Sequence, residues 1–61
     1  MANQQGWYIE HRTAVARRWQ RQRLESDLPM DDFCEVARRT FTESGWPDED
    51  ITAMLKVIRK D

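Results

Sequence analysis

The sequence predicts an all-α fold, a small three-helix domain with short connections. Three observations lead to it. Apolar residues recur at spacings of three and four within three segments. Breaks that contain proline or glycine separate these segments, and no stretch alternates apolar and polar residues over the length of a strand. Because 61 residues leave room for one domain, we expect residues 1–61 to form a single unit with helices at about 6–25, 29–44 and 47–60.

The first predicted helix carries a narrow stripe of larger side chains on one face. The members of this stripe, with Ala16 at its edge, are Tyr8, His11, Val15, Trp19 and Gln22. Side chains at spacings of three and four share one helical face, so we expect this face to meet the core. On this interpretation His11 is a hydrogen-bonded packing residue rather than a reactive group.

The second predicted helix has the clearest amphipathic pattern. One face carries Met30, Phe33, Ala37 and Phe41. Cys34 lies beside them and is expected to be a small buried side chain. Asp31 and Asp32 stand in the first turn, where the helix dipole favours negative charge.

A glycine followed two residues later by a proline marks the joint between the second and third helices. Gly45 can adopt the left-handed conformation that ends a helix, with Trp46 packing back on Phe41 as in a Schellman motif. Pro47 suits the first turn of the next helix because its missing N–H is not needed there.

The third predicted helix follows the i, i+3, i+4, i+7 template throughout. Its apolar face carries Ile51, Met54, Leu55 and Ile58, and its first turn holds Asp48, Glu49 and Asp50. Combining the faces of the second and third helices gives a predicted core, whose buried members are Phe33, Phe41, Ile51, Leu55 and Ile58.

Charge is divided unevenly along the chain. Residues 1–24 carry five arginines against one glutamate, a net +4, and residues 25–61 carry five basic against ten acidic side chains, a net −5. The whole chain has a formal net charge of −1. The pattern predicts a basic first helix lying on an acidic helical pair.

The basic helix suggests nucleic-acid binding, with Arg17, Arg18 and Arg21 contacting phosphates on the face away from the core. The competing interpretation is that these arginines neutralise the acidic first turns of the other helices or simply remain solvated. The chain's net negative charge favours the second interpretation. A helix-turn-helix arrangement fits poorly, because the recognition helix would present Asp48, Glu49 and Asp50 to a polyanion.

Several apolar residues fall outside the three stripes, namely Trp7, Ile9, Leu24, Val36 and Val57. Exposed aromatic residues are typical of protein-binding surfaces, and a small domain gains stability by burying them on another chain. In the alternative, Trp7 and Ile9 fold back around the end of the bundle, and Leu24 with Leu28 fills its first turn.

Other function classes are disfavoured by what the chain contains. One histidine and one cysteine make no metal-ligand set, so we expect no metal or other cofactor. We expect no catalytic residues, since no nucleophile has an evident base and orienting group, and a chain this short leaves no volume for a small-molecule substrate. The absence of a long apolar run argues against membrane insertion, and a lone thiol fits a cytoplasmic location.

The function that these observations favour is that of a small intracellular regulatory or adaptor protein. It would bind another protein, or itself as a homodimer, through exposed aromatic residues and the arginine-rich first helix. The predicted partner-binding residues are Trp7, Arg17, Arg18, Arg21 and Leu24. The alternative is a nucleic-acid-binding module that uses the same helix.

Overall fold

The computed structural model describes residues 4–60, and within them the chain forms three α-helices and no strand. The helices are α1 (Gln4–Glu25), α2 (Met30–Glu43) and α3 (Asp48–Arg59). Short connections join them, so the predicted all-α three-helix fold is confirmed. α3 packs against both other helices, whereas α1 and α2 touch over a small area.

The two ends of α1 lie beside the two ends of α3, which makes these helices parallel. Near the start of α1, Tyr8 and Arg12 contact Asp50 in the first turn of α3. Near its end, Gln20 and Arg23 contact the carbonyl of Lys60, just beyond α3. α2 therefore runs antiparallel to both.

The core is small and centred on α2 and α3. Its buried hydrophobic residues are Ala16, Phe33, Cys34, Ala37, Phe41, Ile51, Met54 and Ile58. Four of the five core residues predicted from the sequence are buried, as is Cys34. The prediction for Leu55 is wrong in part, because its side chain is only half-buried at the flank of the core, whereas that of Met54 is 1% exposed. Because α3 packs against both α1 and α2, its most buried side chains are those that point between these two helices, and Leu55 lies to one side of them.

The face that α1 turns to the core agrees in part with the predicted stripe, since Val15 and Trp19 pack against the core as expected. His11 and Gln22 are exposed, whereas Arg12 and Arg23 are half-buried and Ala16 is 1% exposed. The prediction is wrong for His11 and Gln22, because the apolar stems of Arg12 and Arg23 cover part of the core-facing surface instead. Ala16 lies at the centre of the contact, beside Ala53 and Met54.

Prolines define the starts of α2 and α3. Pro29 and Pro47 each stand one residue before the helix with ψ near 150° (152° and 155°), and each carbonyl accepts the first helical hydrogen bond, from Phe33 and Ile51 respectively, at 2.9 Å. Pro47 is therefore the N-cap rather than a residue of the first turn, a shift of one position from the prediction.

The predicted Schellman motif ends α2. Gly45 has φ of 94°, in the left-handed region. The Trp46 N–H donates to the Phe41 carbonyl and the Gly45 N–H to the Thr42 carbonyl, both at 3.1 Å. The indole of Trp46 packs against the edge of the core and reaches α1, where it meets the rings of Tyr8 and His11.

Candidate functional site

The candidate site is the side of α1 that points away from the core. The contacts of Arg12, Ala16 and Trp19 fix the rotation of the helix, and they leave the opposite side uncovered. We call this side the outer face of α1; it consists of Trp7, Glu10, Ala14, Arg17, Arg18 and Arg21, all exposed. Helical spacing places these six residues along one strip.

A shallow groove, wide open to solvent, lies between the side chains along most of the outer face. It has a volume of about 560 Å³ and is open to solvent along the helix, with walls formed by Ile9, Glu10, Ala14 and the three arginines. The sequence predicted Arg17, Arg18 and Arg21 as binding residues, and the structure brings them together around this groove. Its lining combines guanidinium groups, one carboxylate and aliphatic surface, which is a mixture suited to a polar partner.

None of these three arginines forms a hydrogen bond or ion pair with another residue that the structure describes. The acidic first turns of α2 and α3 have different partners. Asp31 lies 3.5 Å from Arg59, and Asp50 lies 2.6 Å from Arg12. Within residues 4–60, the interpretation that Arg17, Arg18 and Arg21 neutralise these turns is therefore wrong, and their charge faces solvent.

Trp7 begins the strip and belongs to an aromatic cluster at the amino end of the bundle. Its ring stacks on His11 at 5.4 Å between centroids, and His11 stacks on Trp46 at 5.8 Å. Tyr8 packs against the other edge of this cluster, at 5.6 Å from Trp46. Trp7 stays 66% exposed, so it is held in place by stacking without being covered.

Beneath this cluster, Asp50 is 7% exposed and is held by two side chains of α1. The Tyr8 hydroxyl donates to one carboxylate oxygen at 2.5 Å, and Arg12 donates to the other at 2.6 Å. The hydrogen bond from Tyr8, followed by that from Arg12, lowers the pKa of Asp50 from 3.8, although burial acts in the opposite direction. The same hydrogen bond, together with burial and the charge of Asp50, raises the pKa of Tyr8 from 10.0.

A second polar contact holds the other end of α1. The Gln20 amide donates to the Lys60 carbonyl at 2.7 Å, and the Arg23 guanidinium donates to the same oxygen at 2.8 Å. This carbonyl belongs to the end of α3, where backbone acceptors lack helical partners. Contacts to Asp50 and to Lys60 thus fix α1 near both ends.

The remaining apolar residues outside the stripes are scattered. Leu24, the fifth predicted binding residue, is 67% exposed near the carboxyl end of α1 and does not line the groove. Leu28 and Ile9 are each 49% exposed, so neither the predicted filling of the first turn nor the fold-back of Ile9 takes place. Val57 is half-buried against the core.

The contact of Tyr8 and Arg12 with Asp50 was not predicted from the sequence. One signal was available, because Tyr8 and Arg12 are four residues apart and so share a helical face. The sequence could not say which of three neighbouring carboxylates in the first turn of α3 would meet them, since that choice depends on how α1 packs on α3.

The described residues contain no group of three histidine, cysteine or acidic side chains placed to hold a metal ion. None of the helices within residues 4–60 has the length and apolar character needed to cross a membrane. Comparison with protein-family models, with curated proteins and with solved structures found no match to this chain.

Proposed function

We propose that this chain is a protein-binding module, a small intracellular regulatory or adaptor protein whose interface is the outer face of α1. The observation that carries the proposal is the state of Arg17, Arg18 and Arg21. They are exposed around one groove with no carboxylate partner among the described residues, next to an exposed Trp7. Arginine and tryptophan are the residue types most enriched among those that dominate binding energy.

The anchoring of α1 supports this proposal. Contacts to Asp50 and to the Lys60 carbonyl hold the helix near both ends, and stacking on His11 orients Trp7. A surface that is already ordered loses less conformational entropy when it binds. The outer face therefore has the rigidity that a recognition helix needs.

The charge distribution favours a protein over a nucleic acid as the partner. Glu10 lies within the arginine strip, where it would repel a phosphate backbone. The chain as a whole carries a net charge of −1. A protein surface that offers both carboxylates and a basic or aromatic group complements this mixed lining.

Nucleic-acid binding is the second candidate, because three solvent-facing guanidinium groups are also suited to phosphates. If each neutralised one phosphate, the logarithm of the binding constant would fall with the logarithm of salt concentration with a slope of about −2.7. Replacing Arg17, Arg18 and Arg21 together by glutamine would then abolish both the binding and its salt dependence.

Photo-crosslinking in the cells that produce this chain tests the proposal. A photoreactive phenylalanine analogue replaces Ala14, at the middle of the outer face, and in a matched control it replaces Lys56, which is exposed on α3. We expect irradiation to yield a protein adduct from position 14 and none from position 56. Adduct mass and sensitivity to protease or nuclease identify the class of partner.

The crosslinking results distinguish a protein partner, a nucleic-acid partner and no partner on the outer face. A protease-sensitive adduct specific to position 14 supports the proposal, whether the captured protein is a second copy or a different chain. A nuclease-sensitive adduct instead establishes the second candidate. Equal adducts from both positions, or none from position 14, show that the outer face is not a protein interface.

A further inference from the structure

We infer that the outer face of α1 binds a second copy of this chain, with the two α1 helices antiparallel and crossing at Ala14. This inference rests on the proposed function of that face and names its partner. It follows from how the residues of the outer face are ordered about Ala14.

On the outer face, residues at equal distances before and after Ala14 have complementary side chains. Glu10 lies four residues before Ala14, and Arg18 lies four residues after it. Trp7 lies seven residues before, and Arg21 seven residues after. A two-fold axis that passes between the two Ala14 residues, perpendicular to both helices, places each residue level with the one equally far on the other side in the second copy. Glu10 then faces Arg18 of the second copy, and Trp7 faces its Arg21.

Both facing pairs are favourable, and each occurs twice because of the symmetry. The Glu10 carboxylate and the Arg18 guanidinium form an ion pair between the copies. The indole of Trp7 presents its π-system to the Arg21 guanidinium, a cation–π contact. Ala14 at the crossing point has only a methyl group, so the helix axes can approach closely enough for these longer side chains to meet.

Charge selects the antiparallel orientation over the parallel one. In a parallel pair each arginine would face its own counterpart. In the antiparallel pair the two copies of Arg17 are separated by about 9 Å along the axis, those of Arg18 by about 12 Å and those of Arg21 by about 21 Å. These separations exceed the Debye length of about 8 Å at physiological ionic strength, so repulsion between them is largely screened.

The length of the strip sets the strength of the expected dimer. From Trp7 to Arg21 it extends about 21 Å, and its width is about that of one helix, roughly 10 Å. This footprint of roughly 200 Å² on each copy is well below the about 800 Å² per partner of a standard interface, so we expect a weak, transient dimer with a dissociation constant in the upper micromolar range.

A charge exchange between Glu10 and Arg18 tests the inference, with self-association measured by sedimentation equilibrium. We expect Glu10→Arg and Arg18→Glu each to weaken the dimer by roughly tenfold or more, since symmetry doubles the loss of each pair. The double variant recreates the pair with its charges exchanged and should restore the dimer. Lys56→Glu, a charge reversal on α3, is the control and should leave association unchanged.

The variants should fold normally, because Glu10 and Arg18 are exposed and have no partner among the described residues. Circular dichroism checks this. A second measurement uses Ala14→Cys, which should form a disulfide-linked dimer with oxidised glutathione, while Val36→Cys on α2 should not. The native Cys34 is 4% exposed and is expected to stay reduced in both.

The inference is overturned if the parent chain remains monomeric at concentrations of about 1 mM and Ala14→Cys gives no cross-linked dimer. It is also overturned if the double charge exchange fails to restore association lost in folded single variants. These results leave the proposed function standing when position 14 still captures a different protein in cells. If Glu10→Arg instead raises affinity for DNA or RNA, both ideas fail in favour of nucleic-acid binding.

Discussion

Asp50 stands at the point where α1 is fixed to α3, and its environment favours the charged form of the side chain. Its two carboxylate oxygens accept hydrogen bonds from Tyr8 and Arg12. The carboxyl group is therefore easier to ionise in the folded chain than in the unfolded chain, and the Tyr8 hydroxyl is harder to ionise. Both differences make stability depend on pH.

The sign of each effect follows from the direction of the pKa shift. Because the folded pKa of Asp50 is lowered, its contribution is complete above pH 3.8 and is lost as the pH falls through the folded pKa. Because the folded pKa of Tyr8 is raised, its contribution is complete below pH 10.0 and is lost as the pH rises through the folded pKa. These two groups therefore contribute fully to stability between these limits.

We predict that Asp50→Asn lowers the free energy of unfolding near pH 7 and makes its decline at acid pH shallower, because the titrating carboxylate is gone. Tyr8→Phe should make the decline at alkaline pH shallower. Urea unfolding followed by circular dichroism across the pH range measures both. Asp48→Asn removes a carboxylate from the same turn but keeps the Asp50 contacts, so a decline as shallow as that of Asp50→Asn would contradict this account.

Among the elements, the joint between α2 and α3 depends on one backbone conformation. Gly45 has φ of 94°, and a Cβ added there would meet no atom within 4 Å. A substitution at this position therefore costs backbone strain alone, without a steric clash. The conformation allows the chain to leave α2, satisfy the carbonyls of Phe41 and Thr42 and start α3 at Asp48.

We predict that Gly45→Ala lowers the free energy of unfolding by about 1 kcal/mol, because alanine disfavours the left-handed region. Gly6→Ala is the matched control. Gly6 lies within α1 and also has open space around its Cα, so the same substitution should raise stability by up to about 1 kcal/mol through helix propensity. Chemical denaturation of both variants compares them, and effects of the same sign would count against the assignment.

Over the whole molecule, Trp19 links α1 to α2. Its indole lies edge-on to Phe33 at 5.8 Å and to Phe41 at 5.2 Å between centroids. Contacts between α1 and α2 are otherwise few. The aromatic group formed by these three residues therefore closes the bundle on the side that α3 does not fill.

We predict that Phe41→Ala lowers the free energy of unfolding by about 3 kcal/mol, because removal of the 2% exposed ring leaves a cavity and Trp19 loses one of its two aromatic neighbours. This is a large part of the stability of a small domain. Val36→Ala, on the same helix but 49% exposed, should change stability by less than about 0.5 kcal/mol. Thermal and urea unfolding test the pair, and equal midpoints would refute the proposed core.

The sequence predicted α2 and α3 well because each has one apolar and one polar face. Phe33, Phe41, Ile51 and Ile58 are buried as expected, and Gly45 ends α2 as expected. On α1 the sequence placed Val15 and Trp19 correctly but also assigned the exposed His11 and Gln22 to the core-facing side. The buried side of α1 includes arginine stems and a small alanine, so hydrophobic periodicity alone does not locate it.

The residues of the candidate site were likewise predicted from the sequence only in part. The sequence already placed Arg17, Arg18 and Arg21 away from the core, since none of them belongs to the stripe of larger side chains on the first helix. It did not place His11, which the structure stacks between Trp7 and Trp46 rather than in the core. That stack joins residues of α1 to the connection before α3, so it depends on how the elements meet.

The sequence by itself determined the three helices, their ends and the solvent-facing arginines, because local spacing, capping residues and backbone preferences act within a few neighbouring residues. Only the tertiary structure decided that α1 lies parallel to α3, that Asp50 meets Tyr8 and Arg12, and that the outer face of α1 stays uncovered. Those outcomes depend on contacts between residues about 40 positions apart, which form only when whole helix faces pack together.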